Sequence, residues 1–324
     1  MSGRRGQVGV LDVGCFSAHL LVVEGSPLNP VLSHKTRLRL DRALDRHNRL
    51  RAEGVDQIVN AVRVARRTAE RAGVVDFVPF ATSSVRDAVN ADEVIAEVAR
   101  RTGTRLRVLP GHEEARLSYL AARRWFGWQA GPLLVLDVGG GTVELAAGDG
   151  ATPSLARSLP FGARTLTRRM ALKAVHDRRS RHQRRGGDEH PELVRVRDAV
   201  RDALADVPAP GYRAVGCSKV FQQLARLTGA RPQQDGPFVA RSLRLADLRE
   251  WIPRLAAMPA PKRARLPGIS RHRAEQSPAG ALVVEALMVA SGHDQVEICP
   301  WSTREGLLLT LGGLGDDDEY SQVA

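Results

Sequence analysis

The chain has 324 residues, 43% of them apolar, which is enough for two compact domains with real cores. It has no run of about 18 apolar residues and no basic-then-apolar leader, so a cytoplasmic, soluble protein with no membrane partner is expected. Cys15, Cys217 and Cys299 are too scattered for a disulfide framework or a thiolate metal site, and the net charge of +12 suits a polyanionic partner.

The chain opens on an apolar hairpin at 10–24, VLDVGCFSAHLLVVE, followed by a third strand at 29–40. Helical spacing of Val55, Ile58, Val59, Val62 and Ala65 predicts a helix at 52–72. A short buried strand at 77–81 runs into a Ser/Thr-rich turn, and helices at 92–101 and 112–125 flank a strand at 106–109. The hairpin pattern restarts after 127–131, which sets expected domains at 1–130 and 131–314. Strands follow at 133–138, 142–147 and 154–159, then a helix from Ala163. The stretch 168–185 is strongly basic, and apolar periodicity is lost from His176 to His190, so an exposed loop is expected there. A helix near 192–204, a strand at 213–217 and a helix at 219–227 come next, and 259–278 reads as a second basic loop. A buried helix at 279–290, a strand at 297–299 and a last helix at 304–311 precede an acidic tail, 315–324, expected to be disordered. Alternation of this kind predicts an α/β fold with mixed sheets.

The two hairpins are copies. Asp12 matches Asp137, Gly14 matches Gly139, Ser17 matches Thr142, and Leu20 matches Leu145. Each is a strand, a glycine-containing turn with a carboxylate at its mouth, and a second strand. Such a turn aims backbone N–H groups into one small space suited to an anion, while the Asp holds a metal or a water. The second copy is the stronger, because Gly139, Gly140 and Gly141 leave no side chain between backbone and ligand. Two like domains facing a shared cleft, with phosphate chemistry between them, are the expectation. Thr82, Ser83 and Ser84 mark a helix start that suits an anion, with Arg86 one turn in; alone, the segment reads sooner as a helix cap with a solvated Arg. Glu113 and Glu114, likewise, read alone as dipole-stabilised surface residues. The histidines show no metal-ligand spacing and read as surface residues. The strong Arg bias has two possible origins, a GC-rich genome or selection for guanidinium forks that grip phosphate.

Taken in order, ATSSVRDAVN at 81–90, GHEEARLSYL at 111–120, LDVGGGTVEL at 136–145, SLPFGARTLTR at 158–168, GCSKVFQQLARLTG at 216–229 and WSTREGLLL at 301–309 join the first hairpin in a specific pattern. The chain resembles the exopolyphosphatase/guanosine pentaphosphate phosphohydrolase (Ppx/GppA) family of the actin-like ATPase superfamily, in its short actinobacterial form. The resemblance implies two actin-like (ribonuclease H-like) α/β domains with an active-site cleft between them. It implies release of the terminal phosphate of inorganic polyphosphate, or of the 5′ γ-phosphate of guanosine pentaphosphate, with Mg²⁺. By that resemblance Glu114 orients or deprotonates the attacking water, with Glu113 the weaker candidate, and Asp137 binds Mg²⁺ with support from Glu144. Asp12 is the matching carboxylate of the first hairpin, and Gly14, Ser17, Ser83, Arg86, Gly140, Gly141 and Thr142 hold phosphates. A homodimer is implied as well; a nucleic-acid partner is not.

The chain departs from the family pattern at Gly14-Cys15-Phe16-Ser17, where a hydroxyl and an amide become a thiol and a phenyl ring. That change is expected to weaken the phosphate grip, with Phe16 filling the space a phosphate would take. Thr165 stands where an Arg is usual, with Arg164 one position earlier, and Glu275 replaces a common Asp. A phosphohydrolase is the favoured reading; a catalytically weak polyphosphate or nucleotide sensor is the rival.

Overall fold

The computed structural model describes residues 7–74, 76–179 and 190–312. Packing divides the chain into two compact units, 1–121 with 303–324, and 122–302. The anticipated break at 130/131 thus falls nine residues late, and the C-terminal helix packs with the first unit instead of the second.

The first unit contains β1 (Gln7–Val13), β2 (Ser17–Glu24), β3 (Pro30–Arg37), α1 (Leu40–Ala43), α2 (Ala52–Arg71), β4 (Asp76–Ala81), α3 (Ser83–Arg86), α4 (Ala91–Thr102), β5 (Arg107–Val108) and the start of α5 (Gly111–Phe126). Its sheet runs β3-β2-β1-β4-β5, antiparallel through β1 and parallel beyond. Both faces are covered, so these strands carry apolar residues at successive positions. Leu11, Val13, Leu20 and Val22 face Ile58, Val59 and Val62 of α2, as the helical spacing requires.

The second unit contains β6 (Leu133–Val138), β7 (Val143–Gly148), β8 (Leu155–Leu159), α6 (Ala163–Arg179), α7 (Pro191–Ala203), β9 (Arg213–Gly216), α8 (Lys219–Leu227), β10 (Ser242–Arg244), α9 (Leu245–Ala257), α10 (Ala260–Arg263), α11 (Ser277–Ser291) and β11 (Gln295–Ile298). Its sheet runs β10-β11-β9-β6-β7-β8. Read as β8-β7-β6-β9-β11, it repeats the first sheet strand for strand, with β10 added at the edge. The duplicated hairpin therefore belongs to a duplicated sheet. Helix α11, apolar nearly all round, is buried at its centre, and its one carboxylate, Glu285, accepts from Arg197 at 2.7 Å and Arg249 at 3.0 Å. The guanidinium of Arg123, nearly buried, holds the carbonyls of Gly131 and Gly148 at 2.9 and 3.3 Å and so fixes the 127–131 segment.

The chain then returns to the first unit with α12 (Thr303–Leu311). Leu308 packs with Val8, Val10, Leu21, Val78 and Phe80 on the sheet face opposite α2. Gly306 is the residue that permits this, since a Cβ there would lie 2.0 Å from the carbonyl oxygen of Leu117.

The loop anticipated from His176 is helix as far as Arg179, because polar and basic residues extend α6 without any apolar stripe. Of the basic cluster, Arg168, Arg169, Lys173, Arg178 and Arg179 lie on that helix; Arg181, Arg184 and Arg185 lie outside the described residues, as does the acidic tail. The second basic stretch holds the single-turn α10, and α11 begins two residues earlier than anticipated, at Ser277. Among the described residues, no helix is long and apolar enough to cross a membrane.

Candidate active site

In the second unit, Gly139 N–H donates to Thr142 O at 2.9 Å and closes the turn between β6 and β7. The carbonyls of the turn all point one way. Ala163 N–H donates to Gly139 O at 3.0 Å, Arg164 and Thr165 N–H to Gly140 O at 2.9 and 3.2 Å, and Gly162 N–H to Gly141 O at 3.0 Å. The Thr165 hydroxyl adds a bond to Gly141 O at 2.9 Å, which gives the departure at that position a structural role. These contacts take the N–H groups that open α6, the ones a helix cannot satisfy internally. A trans peptide places its N–H opposite its C=O. The N–H groups of Gly140, Gly141 and Thr142 therefore face away from α6 together, as a nest for an anion. Gly162 allows the approach: a Cβ on it would stand 2.5 Å from Gly141 C and 2.6 Å from Gly140 C.

Asp137 and Glu144 stand directly opposite one another across the β6–β7 ladder, so both side chains leave the same face beside this turn. Both are buried. Ser302 Oγ donates to Asp137 Oδ2 at 2.6 Å and Ser158 Oγ to Glu144 Oε1 at 2.9 Å, which orients the two carboxylates. Among the described residues no group of three or more His, Cys, Asp or Glu side chains gathers to cage a metal. Two carboxylates beside a phosphate nest nevertheless suit Mg²⁺, which takes one or two carboxylates and completes its shell with water and phosphate oxygens. Ser158 and Ser302 carry no spacing signal that could have marked them in the sequence.

In the first unit, Glu114 lies in the first turn of α5 and is 6% exposed. Arg86 Nη1 donates to Glu114 Oε1 and, at 3.2 Å, to Leu109 O, while Nε and Nη2 grip Asp87 at 2.7 and 3.2 Å. The anticipated base and the anticipated phosphate-binding arginine are thus in contact. Glu113 is half-exposed and engaged by Arg116 Nε at 2.9 Å, as a solvated helix pair would be. Ser83 and Ser84 are buried, and α3 is a single turn of four residues, shorter than the helix start read from the sequence. The N terminus of α12 is tied to α5: Thr303 Oγ1 lies 3.0 Å from Ser118 Oγ and donates to Glu114 O at 3.5 Å.

The first turn repeats the geometry of the second. Gly14 N–H donates to Ser17 O at 3.0 Å, and Leu40 and Leu38 N–H take the carbonyls of Cys15 and Phe16 at 3.0 and 2.9 Å. By the same peptide geometry the N–H groups of Phe16 and Ser17 face the other side. The Phe16 ring is 4% exposed, so the departure at this position has become part of the packed interior, and the backbone donors survive it.

The carboxylate pair is not repeated. Opposite Asp12 stands His19, where the second hairpin has Glu144. His19 is not the surface residue its sequence context suggested. Arg304 Nη1 donates to its Nδ1 at 2.5 Å and its Nε2 lies 2.8 Å from Ser33 Oγ, so the ring is neutral with its proton on Nε2. Burial first, then the charges of Arg304, Lys35 and His34, lower its pKa from 6.5 to about 3. Burial also works against the charge on Arg304, but Glu305 and Asp12 outweigh it and raise its pKa. Asp12 thus faces a permanent cation.

The Ppx/GppA phosphatase family matches residues 21–312. An uncharacterized protein of Streptomyces coelicolor is 46% identical over 309 residues, covering 93% of this chain and 88% of its own length. Exopolyphosphatase 1 of Mycobacterium leprae is 41% identical over 312 residues, covering 94% of this chain and 88% of its own. The crystal structure of an exopolyphosphatase from Cytophaga hutchinsonii shares the fold, with a TM-score of 0.75 over 95% of this chain and 98% of that one, at 19% identity. Two α/β units were anticipated from the sequence, and two are present. The chain belongs to the Ppx/GppA phosphatase family and is a phosphohydrolase of the phosphoanhydride-cleaving type.

Proposed function

We propose, from the premise of this family membership, that the chain is an exopolyphosphatase that releases the terminal phosphate of inorganic polyphosphate. The observation that carries the proposal is the turn at 139–142, whose three N–H groups are held to one side by the grip of α6 on its carbonyls. Such a nest takes phosphoryl oxygens through backbone alone, without regard to a base or a sugar. Mycobacterial relatives at 41% identity carry the name Exopolyphosphatase 1, which supports the same substrate.

Gly140, Gly141 and Thr142 are the phosphate donors of the second unit, and Gly14, Ser17 and Ser83 are those of the first. Glu114 accepts the proton of the attacking water as its oxygen bonds to the terminal phosphorus. The bridging P–O bond breaks, and the shortened chain leaves as the phosphate anion. Arg86 neutralises charge on the transferring group and sets the orientation of the Glu114 carboxylate. Asp137 and Glu144 would hold Mg²⁺, which would supply charge neutralisation for a phosphoryl group whose oxygens otherwise repel an incoming oxygen nucleophile.

A second reading, guanosine pentaphosphate as substrate, follows from the same nest, since a 5′ triphosphate ends in the same group. Rates of orthophosphate release from polyphosphate, guanosine pentaphosphate and ATP at equal phosphate concentration, with Mg²⁺, test the choice. Polyphosphate is expected to give the highest kcat/KM. A higher value for guanosine pentaphosphate reverses the assignment.

A further inference from the structure

On the first unit, a cavity of ≈450 Å³ opens beside Arg86 and is lined by Arg105, Arg107, Asp92 and Ile95 among others. It lies between the start of α4 and the segment 105–108, which includes β5, the strand that pairs with β4 through Phe80–Arg107 and Ala81–Val108. Ala91 and Asp92 also line it, so the positive end of the 12-residue α4 opens onto the cavity. The residue before that helix does not cap it, because the Asn90 side chain is committed to the backbone of Leu50, at 2.9 and 3.0 Å.

The arginines differ from their neighbours. Arg100 and Arg101, a few residues earlier, pair with Glu97 and Asp56. Arg105 and Arg107 are exposed and engage no carboxylate or carbonyl among the described residues. Against these two cations stands one carboxylate, Asp92, since Arg86 is occupied by Glu114 and Asp87. Two guanidiniums held without partners in a concave site repel each other, and an anion relieves that repulsion with charge-assisted bonds.

We infer that Arg105 and Arg107 form a phosphate subsite for an inorganic oligophosphate, taking phosphates beyond the one that is attacked. Arg86 is shared between this cavity and Glu114, so an oligophosphate that ends at Glu114 continues past Arg86 onto these two side chains. The inference rests on the exopolyphosphatase reading for its role in turnover, while the binding itself is tested without turnover.

The test is calorimetric binding of inorganic triphosphate to the wild type, Arg105→Gln/Arg107→Gln and Arg105→Lys/Arg107→Lys, repeated across a salt series. The Gln pair is expected to bind about tenfold or more weakly. Its log–log salt slope should fall by about one to two, as when one or two phosphate contacts are lost. The Lys pair should keep the slope. Both arginines are exposed, so the thermal midpoint should not move. In turnover of long-chain polyphosphate the Gln pair should raise KM more than it lowers kcat. Equal affinity and slope in wild type and Gln pair, or no triphosphate binding by the wild type, overturns the subsite. An unchanged KM in a wild type that hydrolyses polyphosphate also overturns it and leaves the hydrolase reading standing. Absence of hydrolysis with intact binding differences does the reverse.

Discussion

Gly162→Ala tests whether α6 sets the phosphate nest. The added Cβ would lie 2.5 Å from Gly141 C and 2.6 Å from Gly140 C and O, all backbone atoms of the turn. Ordinary contact begins near 3.4 Å, so the two segments must separate by about 0.9 Å. The four N–H···O bonds between 162–165 and the turn are now 2.9–3.2 Å long, and such a retreat stretches them past useful length. Overpacking of this kind costs about 1–3 kcal/mol and each lost bond about 1 kcal/mol net, so a loss of about 3 kcal/mol or more is expected. Displacing the donors by nearly 1 Å should also lower kcat/KM about a hundredfold. Gly211→Ala is the control, because nothing lies within 4 Å of its Cβ position; its stability should stay within about 0.5 kcal/mol of wild type. Urea denaturation and orthophosphate release read the two effects. If Gly162→Ala matches the control in stability or keeps wild-type kcat/KM, α6 does not hold the nest.

Glu114→Gln should lower turnover by about a hundredfold or more while polyphosphate binding persists, and Glu113→Gln should stay close to wild type; the reverse pattern in steady-state rates moves the base to Glu113. Phe16→Ala should cost about 3–5 kcal/mol in denaturant unfolding, as for a buried aromatic; a near-neutral result would mean the ring is dispensable to packing. His19, held neutral with a pKa near 3 by burial and by Arg304, should show no imidazole titration by NMR between pH 7 and 5. Its folded pKa lies below the unfolded 6.5, so its contribution to stability is complete above about pH 6.5 and is lost as pH falls toward 3; a midpoint near 6.5 in the folded protein refutes the Arg304 contact.

The hairpin duplication was legible because it is written in local sequence: strand periodicity, Asp-Val-Gly and the turn glycines are all short-range signals. It extended further than expected, to the whole sheet order. Three things were not legible. The place of α12 depends on Gly306 meeting the backbone of Leu117, a contact spanning most of the chain. Helix α9 passed unassigned because Pro253 lies inside it and masks the pattern of Leu245, Leu248 and Leu255. Arg304 and His19 meet across the fold of the first unit, and neither position alone separates an interior polar network from a surface charge. The site itself was half visible. Motif order marked Glu114, Arg86 and Asp137, whereas the serines that orient Asp137 and Glu144 come from strand pairing and a distant segment.

Orthophosphate release from polyphosphate of defined length, followed with Mg²⁺ and after chelation, tests the central claim most directly. The account predicts orthophosphate as the sole small product, a ladder of chains shortened from the end, and loss of both when the metal is removed and when Asp137 is changed to Asn. Polyphosphate that binds and is never shortened, with Mg²⁺ present at any concentration, would contradict it and leave a phosphate-binding sensor in its place.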